Sequence, residues 1–181
     1  MIVISDTSVL VGLAVVQKLD LLRKLWKVVF IPQEVFREVK PDKPGYAEVQ
    51  AAIAAGWIEV KPHGGPVLPR GEDGCLFLAR ELGADLVLVD DGKARKRISA
   101  AGFRVSGAVG VLIAGLRRDY MSGPEVLSVL QAWEKLGFRL SRGLVSLLQE
   151  KAGAIPLQNS RDFYDDWDDP KVDAAWLPKK K

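Results

Sequence analysis

The chain has 181 residues, 48% of them hydrophobic, which is enough for one sizeable core and short for two, so one compact domain with a tail is expected. Twenty-six Lys and Arg against 23 Asp and Glu leave a net charge of +3, too small to argue for nucleic acid by itself. A single cysteine, Cys75, excludes an internal disulfide, and a single histidine, His63, excludes a site built on several imidazoles or a Cys/His zinc cluster, so oxygen ligands must hold any metal.

Residues 1–5 are an apolar run closed by Ser5. Asp6 follows, then Thr7, Ser8 and a new apolar segment from Val9. This reads as a short buried strand with a carboxylate at its C-terminal edge, and Thr7 or Ser8 able to cap the next helix. In open α/β sheets that edge is where ligands bind. Residues 9–15 and 19–25 read as short helices, and 27–31 as a second strand stopped by Pro32, which suits the first turn of a helix. In that helix, over 33–39, Val35 and Val39 share one face while Glu34 and Glu38 share another. Pro41 and Pro44 precede a helix over 46–55, and Gly56 separates it from a strand over 57–60.

The segment 61–71, with Pro62, Gly64, Gly65, Pro66 and Pro69, is the longest loop. It holds His63, which reads as incidental because a lone loop histidine lacks a partner to tune it. Gly71 opens a helix over 72–82 with a buried stripe of Cys75, Leu76, Leu78, Ala79 and Leu82, and with Glu72 and Asp73 in its first turn. A strand over 86–89 ends in Asp90 and Asp91. A helix over 93–101, a strand over 103–105 and helices over 108–117, 124–136 and 141–152 complete a body of residues 1–154. From Ile155 the pattern turns acidic and aromatic, and 155–181 reads as a tail, flexible or packed on a partner. Six Asp against five Lys or Arg give the tail −1 and the body +4. Alternating strands and helices predict a mainly parallel sheet covered on both faces. No membrane-length apolar run or signal peptide is evident, so a cytoplasmic protein is expected.

Asp6 and the Asp90-Asp91 pair occupy equivalent positions, each ending an apolar strand just before a helix. Glu38, near the end of a helix, and Glu72, in the first turn of another, can converge with them. Clustered carboxylates raise one another's pKa unless something neutralises them, and a divalent cation is the simplest neutraliser. Mg²⁺ and Mn²⁺ suit carboxylate oxygens and support phosphodiester hydrolysis. Each acid also has a plainer role. Asp6 can be a helix cap, Glu72 a complement to the helix dipole, and Glu38 part of a solvated helix face.

With these residues the chain resembles the PIN-domain family, metal-dependent ribonucleases that include the VapC-like toxins of toxin–antitoxin pairs. The resemblance rests on Val3-Ile-Ser-Asp-Thr-Ser8, Ile31-Pro-Gln-Glu-Val-Phe-Arg-Glu-Val39, Gly71-Glu72 opening a helix, and Leu88-Val-Asp-Asp-Gly-Lys-Ala-Arg95, in the family's order over roughly residues 1–150. It implies a three-layer α/β/α sandwich and an acidic pocket for Mg²⁺ or Mn²⁺. Asp6, Glu38, Glu72 and Asp91 match the four catalytic acids, and Asp6, Glu72, Asp90 and Asp91 the metal ligands. Ser8 matches the hydroxyl near the metal, with Thr7 as the fallback. Similar chains often read Gly-Glu-x-Glu where this one has Gly71-Glu-Asp-Gly74, so a glutamate is missing and Asp73 is its candidate substitute.

The substrate implied is RNA, approaching over Lys93, Arg95, Lys96 and Arg97. These four are equally readable as a solvated helix face, and Arg95 can also pair with the acids. A toxin of this kind would have a small antitoxin partner and form a homodimer, for which the apolar stretches 109–116 and 126–130 offer a face if they are not core. An aspartyl-nucleophile phosphatase would want a second Asp where Ser8 stands. A receiver domain needs its acid pair early in the chain, and a nucleotide-binding fold needs a glycine-rich loop after the first strand. The rival from another class is a catalytically weak PIN-like domain acting as an RNA-binding or protein-assembly module.

Overall fold

Five short apolar runs become strands β1 (Val3–Ser5), β2 (Val29–Pro32), β3 (Ile58–Lys61), β4 (Leu86–Leu88) and β5 (Val105–Ser106) in the computed structural model, which describes residues 1–66, 70–138, 145–146, 148–150 and 153. All their pairings are parallel, in the order β3-β2-β1-β4-β5. Every residue of β1 and β4 is buried, as a strand with helices on both faces requires. The connecting helices are α1 (Thr7–Ala14), α2 (Asp20–Trp26), α3 (Gln33–Glu38), α4 (Tyr46–Ala54), α5 (Gly71–Leu82) and α6 (Gly92–Ala100).

Right-handed crossovers put the helices leading outward from β1 to β3 on one face, and those returning to β4 and β5 on the other. Accordingly α1 packs on α4, while α5 packs on β1, β2 and α6. The short α3 touches both α1 and α5. The result is the expected three-layer α/β/α sandwich. Pro32 ends β2, paired with Lys61, rather than starting the helix. It lacks an N–H, but as a strand's last residue it need donate no further ladder bond.

This strand order locates the site. The chain runs out through β2 to β3 and then returns to the other side of β1, so the C-terminal ends of β1 and β4 form the topological switch point where such sheets bind ligands. Ser5 lies opposite Leu88 in the register. Asp6 and Asp90, one and two residues further on, therefore leave neighbouring strands at that crevice.

The chain divides into two compact units, Met1–Ala108 and Val109–Lys181. The first contains the sheet. Of the second, the structure describes α7 (Ala108–Arg117) and α8 (Gly123–Lys135). α8 begins with a capping box of Ser122 and Glu125, with Pro124 in its first turn. Val109, Val111, Leu112 and Leu116 on α7, and Val126, Val129, Leu130 and Trp133 on α8, are buried within the chain. The apolar residues of 109–116 are therefore core, whereas in 126–130 Leu127 is 38% exposed. The expected helix over 141–152 is described only in part, and the 154/155 boundary and the tail lie outside the described residues. Among the described residues no helix is long and apolar enough to cross a membrane.

Candidate active site

Asp6 leaves β1 with its backbone N–H bonded to the Leu88 carbonyl of β4 at 2.9 Å. Its Oδ1 accepts from the Val9 N–H at 2.9 Å and its Oδ2 from the Ser8 hydroxyl at 2.7 Å. Of the three candidates for the cap of α1, Asp6 rather than Thr7 or Ser8 takes the role, because its extended backbone, ψ 175°, already suits a cap and Thr7 is helical. The residue is only 2% exposed. Burial pushes its carboxyl up first and the charge of Asp90 second; the Val9 and Ser8 bonds pull it back, Glu72 adds to the rise, and it comes to about 8.

Beside it opens a cavity of about 370 Å³, with Asp6, Thr7, Ser8, Glu38, Lys43 and Glu72 in its lining. Glu38 ends α3 and ties three helices together. Its Oε1 accepts from the Gly71 N–H at 2.7 Å, and its Oε2 from the Thr7 hydroxyl. So Thr7 and Ser8 each orient one carboxylate. Cys75 lies within electrostatic reach of four acids. It is fully buried with its thiol toward Ser5 O at 3.5 Å, and burial, then the charges of Asp6, Glu38, Glu72 and Glu34, push that thiol well above its usual range.

Adjacent in sequence, Asp90 and Asp91 separate in space. Asp91 is exposed and caps α6, accepting from Lys93 N and Ala94 N at 3.0 and 2.8 Å. Asp90 points inward, accepting from Ala108 N at 3.0 Å. Burial raises its carboxyl to about 6, against the pull of the Ala108 bond and the Arg95 charge. Its charge in turn acts on Asp6, although Asp90 is not among the residues that line the cavity. Arg95, expected either among the residues offered to RNA or paired with the acids, is buried, with its guanidinium donating to Val89 O at 3.0 Å. Its stem runs inward from α6, and its charge serves Asp90 from within the fold. Lys93 and Lys96 are exposed, while Arg97 is bonded to Asp73. Asp73 therefore faces α6 and is not among the residues that line the cavity.

Three features escape a reading of the sequence. Lys43 reaches the cavity from the turn before α4, and its only signal is the Pro-Gly pair that follows it. Glu34 is buried rather than on an open helix face. It bonds His63, Nε2 to Oε2 at 3.1 Å, so the loop histidine does not lack a partner, and both side chains are 4% exposed. A 29-residue separation leaves no local trace of that pair.

Asp6, Glu38, Glu72 and Asp90 supply only carboxylate oxygens, and the Thr7 and Ser8 hydroxyls stand beside them, a donor set that suits a hard divalent cation and not a soft one. As the side chains stand, no group of three or more His, Cys, Asp or Glu among the described residues is arranged to hold a metal ion. The oxygens of Asp6 and Glu38 are turned to internal donors, and a cation would have to draw them away.

A family model described as a PIN domain matches residues 2–154. No curated protein and no solved structure matched the chain.

Proposed function

The chain belongs to the PIN-domain family, a nuclease fold, and we propose that it is a metal-dependent endoribonuclease. The observation that carries this reading is the state of Asp6. A carboxyl only 2% exposed at the switch point shares one cavity with Glu38 and Glu72, and the like charges of Asp90 and Glu72 that push it up are what a divalent cation would neutralise. Asp6, Glu38, Glu72 and Asp90 would hold Mg²⁺ or Mn²⁺, with Ser8 and Thr7 orienting the first two. When bound, such an ion supplies charge neutralisation for the acids and Lewis-acid polarisation of a phosphodiester.

The chain's own groups divide the remaining work. Lys43, exposed at the cavity, offers a charge to an incoming phosphate, and the exposed Lys93 and Lys96 extend that attraction along α6. Arg95 offsets Asp90 from within, so that its carboxylate can stay ionised close to Asp6.

Cleavage of labelled single-stranded RNA in Mn²⁺ by wild type and Asp6→Asn tests the proposal. Loss of about a hundredfold or more in the variant is expected, since a ligand acting in the transition state contributes several kcal/mol. Equal activity in both, or none in either, contradicts it. The second outcome favours the other reading, a PIN-like binding module, for which the internally bonded carboxylates of Asp6 and Glu38 are the supporting observation.

A further inference from the structure

We propose that Glu34 and His63 form a positioning pair that fixes the start of α5, and with it Glu72, against the acidic cavity. The importance of Glu72 rests on the nuclease reading, whereas the positioning itself does not.

The starting observation is that α3 presents two carboxylates one turn apart, and each grips one end of the connection from β3 to α5. Glu38 accepts from the backbone of Gly71, the first residue of α5, at 2.7 Å. Glu34 bonds His63, two residues past β3, at 3.1 Å. The imidazole is oriented from its other side as well, because its Nδ1 accepts from the Gly65 N–H at 3.2 Å. A ring nitrogen that accepts carries no proton, so Nε2 holds the hydrogen and donates it to Glu34. A neutral histidine thus satisfies both contacts. The ring also stacks on Phe77 of α5, with centroids 5.6 Å apart and planes 23° from parallel. Gly64 N donates to Glu81 near the end of the same helix at 2.8 Å.

The second observation is steric. A Cβ at Gly74 would stand 2.7 Å from Glu34 Oε2 and 3.1 Å from the Pro32 ring. A Cβ at Gly71 would stand 2.9 Å from Glu38 Oε2. Two glycines three apart on α5 therefore receive two carboxylates four apart on α3, and the helices meet in a register that a slip along either would break. The place a side chain at position 74 would take is filled by Glu34. Glu34 is buried and absent from the cavity lining, so it acts through the placement of α5 and not on a substrate.

Amide exchange at Gly71 tests this in His63→Ala, Glu34→Ala, Gly74→Ala and His63→Gln. Losing a buried partner in His63→Ala or Glu34→Ala, or crowding Glu34 in Gly74→Ala, should speed exchange at Gly71 by about tenfold. His63→Gln keeps an N–H donor and should recover most of the protection. The Gly74→Ala effect should largely vanish when Glu34 is already Ala, because the clashing oxygen is gone. In RNA cleavage the Ala variants should lower kcat with KM little changed, and His63→Gln should restore kcat. Unchanged Gly71 exchange in His63→Ala and Glu34→Ala overturns the proposal, and so does a kcat as low in His63→Gln as in His63→Ala. If wild type cleaves no RNA, the nuclease reading fails alone, and Gly71 exchange still decides this one.

Discussion

Asp6 is a carboxyl whose surroundings favour its proton, and the sign of the consequence follows from linkage. Its ordinary value of 3.8 rises to about 8 in the folded chain, so between those limits the folded state holds a proton that the unfolded state has released. The Asp6 contribution to the stability of the metal-free protein should be fully present below pH 4 and fall as pH rises toward 8. Asp90, raised to about 6, adds to the fall over its lower part. Urea midpoints measured from pH 4 to 8 should therefore decline, and in Asp6→Asn the decline above pH 6 should flatten. A wild-type midpoint that holds steady or rises from pH 6 to 8 contradicts this account of Asp6. At this scale the strand-end position of Asp6 was legible in the sequence, because a four-residue apolar run has only one end before the helix. The choice between Asp90 and Asp91 was not, since which of two adjacent acids turns inward depends on where α6 begins.

Among the elements, the contact of α3 with α5 sets the geometry of the acids. Gly71→Ala exchanges the poorer helix former for the better, yet its methyl would stand 2.8 Å from Val35 and 2.9 Å from Glu38. Overpacking should win, with a net destabilisation of about 1–3 kcal/mol in urea unfolding. A neutral or stabilising result would mean that α5 can retreat without loss. The helices themselves were legible from period and punctuation, as for α5 between Gly71 and Gly83. What α3 buries was not, because Glu34 and Glu38 at helical spacing read as one solvated acidic face, whereas Glu34 is buried and Glu38 stays exposed. Arg95 was more legible, since its place four residues beyond Asp91 lets it pair with the acids, and its charge does act on Asp90.

For the whole molecule, the alternation of strands and helices made the parallel sandwich legible, and the PIN-domain family match covers residues 2–154. The order β3-β2-β1-β4-β5 was not legible, because it depends on which edges pair, and that order is what turns two strand-end acids into neighbours. The central claim is that Asp6, Glu38, Glu72 and Asp90 act together at the switch point while Asp91 serves its helix. Mn²⁺ binding to wild type and to Asp6→Asn, Glu38→Gln, Glu72→Gln, Asp90→Asn and Asp91→Asn tests it most directly. The first four variants should each weaken binding by about tenfold or more, as loss of a charged ligand implies, with Asp91→Asn near wild type. Binding weakened as much by Asp91→Asn as by Asp90→Asn, or unaffected by any of the five, would contradict the claim.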